Sequence, residues 1–148
     1  MSAVDRPPLR ALTRREADIF ACVCDAAVDP CSPLPAVRDT HAVRFFDDWL
    51  AKGPAVNRAG LRAALHAIEL APLCRRKFRR RLRALPRERR AEVLTEARHG
   101  RLGQAALALS SMAQLSYYGD DAVMLALGYD ADAVVERGRR LRREEGRW

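Results

Sequence analysis

The stretch "TRREADIFACVCDAA", residues 13–27, decides the fold class. It opens with Thr13 three residues before Glu16. That spacing is the capping box, in which each side chain satisfies a backbone N–H at the other's position. Phe20, Val23, Cys24 and Ala27 then recur at i, i+3, i+4 and i+7, the period of one helix face. Cys24 is expected in the core and Cys22 off that face. The helix must stop before "DPCSPLP" (29–35), whose prolines cannot continue it. That segment is short enough to read as an ordered loop.

The same periodicity runs outward along the chain. Residues 40–51 predict a second helix, with Ala42, Phe45, Phe46, Trp49 and Leu50 as its apolar stripe and Arg44, Asp47 and Asp48 facing out. Gly53-Pro54 ends it. A third helix starts near residue 57 and carries Leu61, Ala64, Leu65 and Ile68 on one face. His66 lies on the other side and reads as a solvated histidine. His41 and His99 fall at helix ends without a recognisable partner.

Next comes "CRRKFRRRLRALPRERR", residues 74–90, in which ten residues are basic and only Glu88 is acidic. Phe78, Leu82 and Leu85 keep i, i+4, i+7 spacing, so the arginines are expected to clothe a helix. Pro86 opens another helix over 87–99, with Val93 and Leu94 inward and Gly100 at its end. Residues 102–115 follow, with Leu102, Ala106, Leu109 and Ala113 aligned. Asp120 is a candidate N-cap for a short helix over 121–127 that Gly128 closes. A last helix covers 132–143, with Val134, Val135 and Leu141 apolar.

No strand alternation and no repeat interrupts this pattern. The expected fold is all-α, a single-domain bundle of six to eight helices over residues 11–143. Residues 1–10 are expected to be a disordered N-terminal segment and 144–148 a frayed end.

Composition agrees with a globular helical domain. Apolar residues make up 49% and charged residues 31% of 148, so the chain is no disordered tail and can bury one good core. The formal charge is +8, and lysine occurs only at Lys52 and Lys77. A basic balance points to nucleic acid or another anionic partner, or to drift toward alanine and arginine in composition. Residues 1–10 lack the apolar region of a secretory signal. No run approaches the ~18 apolar residues of a membrane span. The expected compartment is the cytoplasm, with co-export on a signal-bearing partner as the alternative. In that setting Cys22, Cys24, Cys31 and Cys74 are expected as free thiols.

Catalytic chemistry finds no support in the sequence. Cys22 and Cys24 are two apart, so on a helix they point ~200° from each other and do not share a metal. Asp47-Asp48 and Asp120-Asp121 read as solvated or capping pairs rather than acid/base couples. Ser110, Ser111 and Ser116 lack an activating histidine. No Gly-rich phosphate loop and no nucleophile elbow is present. Hence no catalytic, cofactor-binding or metal-ligating residue is expected in this chain.

The least generic segment is "LSYYGDDAVMLALGYD", residues 115–130, which holds all three tyrosines of the protein. Tyr117-Tyr118, a Gly-Asp-Asp turn, a short helix over Val123, Met124, Leu125 and Leu127, and a Gly128-Tyr129 stop follow one another. This arrangement resembles the C-terminal motif of the gluconate 2-dehydrogenase subunit 3 family. Three other parts are similar to that family, in the same order: "LTRREADIFACVCDAAVDP" (12–30), "AVRFFDDWLA" (42–51) and "NRAGLRAALHAIE" (57–69), the last with Arg58, Gly60 and Leu61. Together they span about residues 11–130.

The resemblance implies an accessory role. Small subunits of this family accompany a flavin-dependent oxidoreductase of the glucose-methanol-choline type and bind no flavin themselves, so FAD is expected in the partner subunit. Tyrosines are common at interfaces. Tyr117, Tyr118 and Tyr129 are therefore the candidate partner-binding aromatics, and Arg79, Arg80 and Arg83 the candidate basic contacts. The alternative reading is a small basic helical module that binds nucleic acid or another anionic partner.

Overall fold

A computed structural model of the chain describes residues 8–146. Seven α-helices follow one another among these residues: α1 (Arg14–Val28), α2 (Ala42–Lys52), α3 (Ala55–Leu70), α4 (Arg87–Arg98), α5 (Gly103–Tyr118), α6 (Asp121–Ala126) and α7 (Ala131–Glu144). Short 3-10 turns lie at Val37–Asp39, Ala71–Cys74 and Leu82–Ala84. The described residues contain no strand, and the all-α expectation holds.

Helices α1 and α5 form the centre, with α2, α3 and α4 packed around them. The core draws Ile19, Phe20, Val23 and Cys24 from α1, Phe46 and Leu50 from α2, and Leu65 and Ile68 from α3. Val93 and Leu94 of α4 and Ala106, Leu109, Ala113 and Tyr117 of α5 complete it. Phe20 and Phe46 stack with ring centroids 3.9 Å apart. Full burial of each large apolar side chain stabilises the bundle by about 1.5–3 kcal/mol.

Several helix ends form as their sequence signals require. Thr13 Oγ1 accepts the Glu16 N–H at 3.3 Å, and Glu16 Oε2 accepts the Thr13 N–H at 2.8 Å. Asp120 caps α6 by accepting the Ala122 N–H at 3.0 Å. Gly128 then reverses the chain at φ 71°, a conformation that costs a glycine little.

The basic segment departs from expectation. Residues 75–81 form turns, and the helix predicted over Phe78–Leu85 is reduced to one 3-10 turn. Phe78, Leu82 and Leu85 are all buried, as the spacing demanded. Like charges three and four apart work against an α-helix here, and Pro86 forces Leu85 into extended backbone (ψ 149°). Turns therefore deliver the same apolar residues that one helix was expected to present.

The second correction concerns α2. Asp47 is fully buried, whereas Phe45 and Trp49 are more than a third exposed. The helix is rotated so that Asp47 meets the incoming chain: its carboxylate accepts the N–H groups of Arg10, Ala11 and Leu12 at 2.8–3.0 Å. Leu9 packs against the core beside them. Of the segments expected to be disordered or frayed, residues 1–7 and 147–148 lie outside the described residues. Helix α7 continues through Glu144 and buries no residue.

Candidate docking surface

Buried carboxylates tie together parts of the chain that are distant in sequence. Glu16 in α1 accepts from Arg62 Nε in α3 at 2.8 Å, and His66 Nε2 lies 3.1 Å from the same oxygen. His66 was expected to be solvated; it is half-exposed and holds this buried partner. Burial would raise the Glu16 carboxyl. The hydrogen bonds from Arg62, Thr13 and His66 outweigh it and bring the group down to about 2. Burial likewise opposes the charge on Asp47, yet its three backbone donors hold the carboxyl below the usual range.

Glu69, also fully buried, accepts from the Arg83 backbone N–H at 3.2 Å and from Arg83 Nε at 3.0 Å. Asp120 accepts the His41 backbone N–H at 2.6 Å, and His41 Nδ1 lies 3.3 Å from the same oxygen. His41 therefore has a partner that the sequence did not reveal. This bond fixes the start of α6 to the start of α2. Charge-assisted bonds of this kind are the strong ones, and each joins elements distant in sequence. The carboxylates thus hold the fold together.

The tyrosines divide. Tyr117 is wholly buried, and its hydroxyl donates to the Pro35 carbonyl at 2.6 Å. It offers no surface to a partner, because α5 runs three residues further than expected and carries it into the core. Tyr118 stacks edge-on against it, with centroids 5.3 Å apart, and is 42% exposed. Tyr129 is 51% exposed. Leu115, Leu127 and the 79% exposed Leu125 are also exposed in this same segment of α5, α6 and the turn after it.

The arginines divide as well. Arg83 serves Glu69 and also stands 3.7 Å from Asp18, so it is a structural tie rather than a docking group. Arg87 donates to the Pro30 carbonyl, and Arg90 to the carbonyls of Leu85 and Arg83. Arg75 and Lys77 pair with Glu96, Lys77 and Arg89 with Glu92. Arg76, Arg79, Arg80 and Arg81 bond to no side chain among the described residues and project from the turn. Arg79 sits in the left-handed region at φ 51°. Arg79 and Arg80, expected to clothe a helix, thus lie exposed outside any helix.

All four cysteines are free thiols, with Cys31 and Cys74 exposed and Cys24 buried. No group of three metal-ligating side chains converges among the described residues. An open cleft of about 470 Å³ at the α4–α5 joint is lined by Arg98, His99, Arg101, Gln104 and Leu107, and its walls hold no carboxylate, thiol or hydroxyl. Among the described residues no helix is long and apolar enough to cross a membrane.

The carboxylate ties were only partly legible. Glu16 falls one turn before Phe20 on the apolar face, and Glu69 one turn after Leu65, so a charge at a core position was the signal. Asp47 gave no such signal, because its partners lie in the preceding loop. What these features define is a small all-α domain with an inward-turned acidic scaffold and an outward apolar-aromatic and basic surface. No family model matches the chain, and neither a curated protein nor a solved structure matches it.

Proposed function

We propose that this chain is a non-catalytic accessory subunit that binds and stabilises a flavin-dependent oxidoreductase of the glucose-methanol-choline type acting on a sugar or alcohol, with FAD held by that partner. The observation that carries the reading is the exposure of Tyr118, Leu125, Leu127 and Tyr129, which lie within the segment resembling the gluconate 2-dehydrogenase subunit 3 family. Four large apolar side chains exposed within twelve residues are more than folding requires, and aromatic anchors of this kind dominate protein interfaces. The buried carboxylates Glu16, Asp47, Glu69 and Asp120 are already committed to holding elements together, which suits a binding subunit better than an enzyme. Co-expression with a flavoprotein of this type tests the reading. A yellow complex that survives gel filtration is expected; a flavoprotein that elutes alone in full yield contradicts it.

A second reading is favoured by one observation. Arg76, Arg79, Arg80 and Arg81 are grouped and uncommitted, which suits a phosphate backbone as well as an acidic protein surface. Phe78, the one aromatic residue among them, is buried and gives bases no stacking platform. A gel-shift series from low to high salt separates the two readings: retardation at low salt that fades steeply supports nucleic-acid binding, and none at low salt removes it.

A further inference from the structure

Helix α7 is a complete amphipathic helix on which no other described element packs lengthwise. Ala131, Val134, Val135, Gly138 and Leu141 fall on one stripe, and Val134, Val135 and Leu141 are each about half exposed. Short helices are marginal in water without a packed apolar face. Gly138 makes the point sharper. A glycine inside a helix costs about 1 kcal/mol relative to alanine, and a side chain at this position would meet nothing among the described residues but the end of Arg142, 4.0 Å away. No described residue requires the glycine, whereas a second helix crossing closely at its midpoint would.

The charges of α7 say what that second helix is. Its first part, residues 131–136, holds Asp132 and Glu136 and no cation; the next part, 137–143, holds Arg137, Arg139, Arg140, Arg142 and Arg143 and no anion. Glu144 closes the helix and reaches back toward Arg140 at 3.9 Å. The contacts of Glu136 with Arg139 and Arg143, at 3.8 and 3.9 Å, are long and exposed, so they hold little energy and exchange readily. A helix acidic at one end and basic at the other is complementary to its own antiparallel copy. A uniformly acidic groove would repel the first half, and an anionic lipid surface would do the same.

We propose that α7 is a homodimerisation helix, pairing antiparallel with α7 of a second copy about a two-fold axis at Gly138. Val135 of each copy packs over Leu141 of the other, and Asp132 of each lies beside Arg142 of the other. A two-fold makes every such contact twice. A pair of 14-residue helices is small beside the roughly 1,200–2,000 Å² of a standard interface. The association is accordingly weak, with a dissociation constant on the order of micromolar.

Sedimentation equilibrium of the full chain alone, over about 1 to 300 µM to bracket a micromolar constant, tests this. The mass should rise from the monomer's 16.6 kDa toward twice that value. Leu141→Asp, an exposed position that leaves the core intact by circular dichroism, should hold the chain monomeric. Asp132→Arg should weaken the dimer at least tenfold, and Asp132→Arg with Arg142→Asp should restore it. A chain that stays monomeric throughout overturns the proposal, as does a dimer indifferent to Leu141→Asp. Self-association seen only with anionic phosphatidylglycerol vesicles, or only with the flavoprotein present, overturns it too. The run on the chain alone needs no flavoprotein, so its outcome stands or falls apart from the accessory-subunit reading.

Discussion

Arg62 donates its Nε–H to Glu16 across 2.8 Å, although 46 residues separate the two. Glu16 is almost fully buried, while Arg62 keeps part of its side chain in water. Glu16→Gln removes the charge and leaves the shape. It is expected to cost about 2–4 kcal/mol, as breaking a buried pair does when one partner can rehydrate. Urea unfolding measures this as a lower midpoint with an unchanged slope.

The same carboxylate makes the bundle acid-sensitive. Its folded value of about 2 lies below the unfolded value near 4.5. A depressed carboxyl contributes its stability above the unfolded value and loses it as pH falls toward the folded one. Roughly 3 kcal/mol is therefore present at neutral pH and lost between about pH 5 and pH 2. Asp47 shifts in the same direction and steepens the loss. Urea midpoints should fall from pH 6 to pH 3, and Glu16→Gln should flatten that dependence.

Asp47→Ala leaves the N–H groups of Arg10, Ala11 and Leu12 without their acceptor. Burying donors unpaired costs about 1–3 kcal/mol each, less where the segment can open to water. Hydrogen exchange at residues 10–12 should accelerate strongly in this variant, while exchange in α5 follows only the global loss of stability.

Asp47 also marks where sequence reasoning ends. The helices, their caps at Thr13 and Asp120 and the stop at Gly128 were legible, because those signals act within one turn of chain. The inward facing of Asp47, the partners of His41 and His66 and the burial of Tyr117 were not, because each depends on a segment tens of residues away. Residues 75–85 misled for another reason. Their apolar spacing was right, but three and four apart their positive charges repel, and turns bury Phe78, Leu82 and Leu85 as well as a helix would. At the candidate site, Tyr118, Tyr129, Arg79 and Arg80 lie exposed, the arginines without the helix expected to carry them, while Tyr117 and Arg83 are spent on the interior.

The tyrosines should therefore respond differently to mutation. Tyr117→Phe loses one hydrogen bond to Pro35 and should cost about 1 kcal/mol of stability without touching partner binding. Tyr118→Ala and Tyr129→Ala should change stability by less than about 1 kcal/mol, as exposed positions do. Both should weaken partner binding. Thermal melts and pull-downs on the same three variants separate the effects.

Thiol chemistry checks the burial pattern independently. Burial pushes the Cys24 thiol well above its ordinary range, and Cys22 is raised by the same cause. Cys31 and Cys74 are exposed. A chromogenic disulfide reagent should modify Cys31 and Cys74 quickly in the folded protein and reach Cys24 only on unfolding.

The most direct test of the accessory role is gel filtration of this chain mixed with a glucose-methanol-choline-type flavoprotein, followed by flavin absorbance. The account predicts co-elution in one yellow peak, lost in the Leu125→Asp, Tyr129→Ala double variant, which still folds. Separate peaks for the unmodified proteins, or a complex that ignores the double variant, would contradict it.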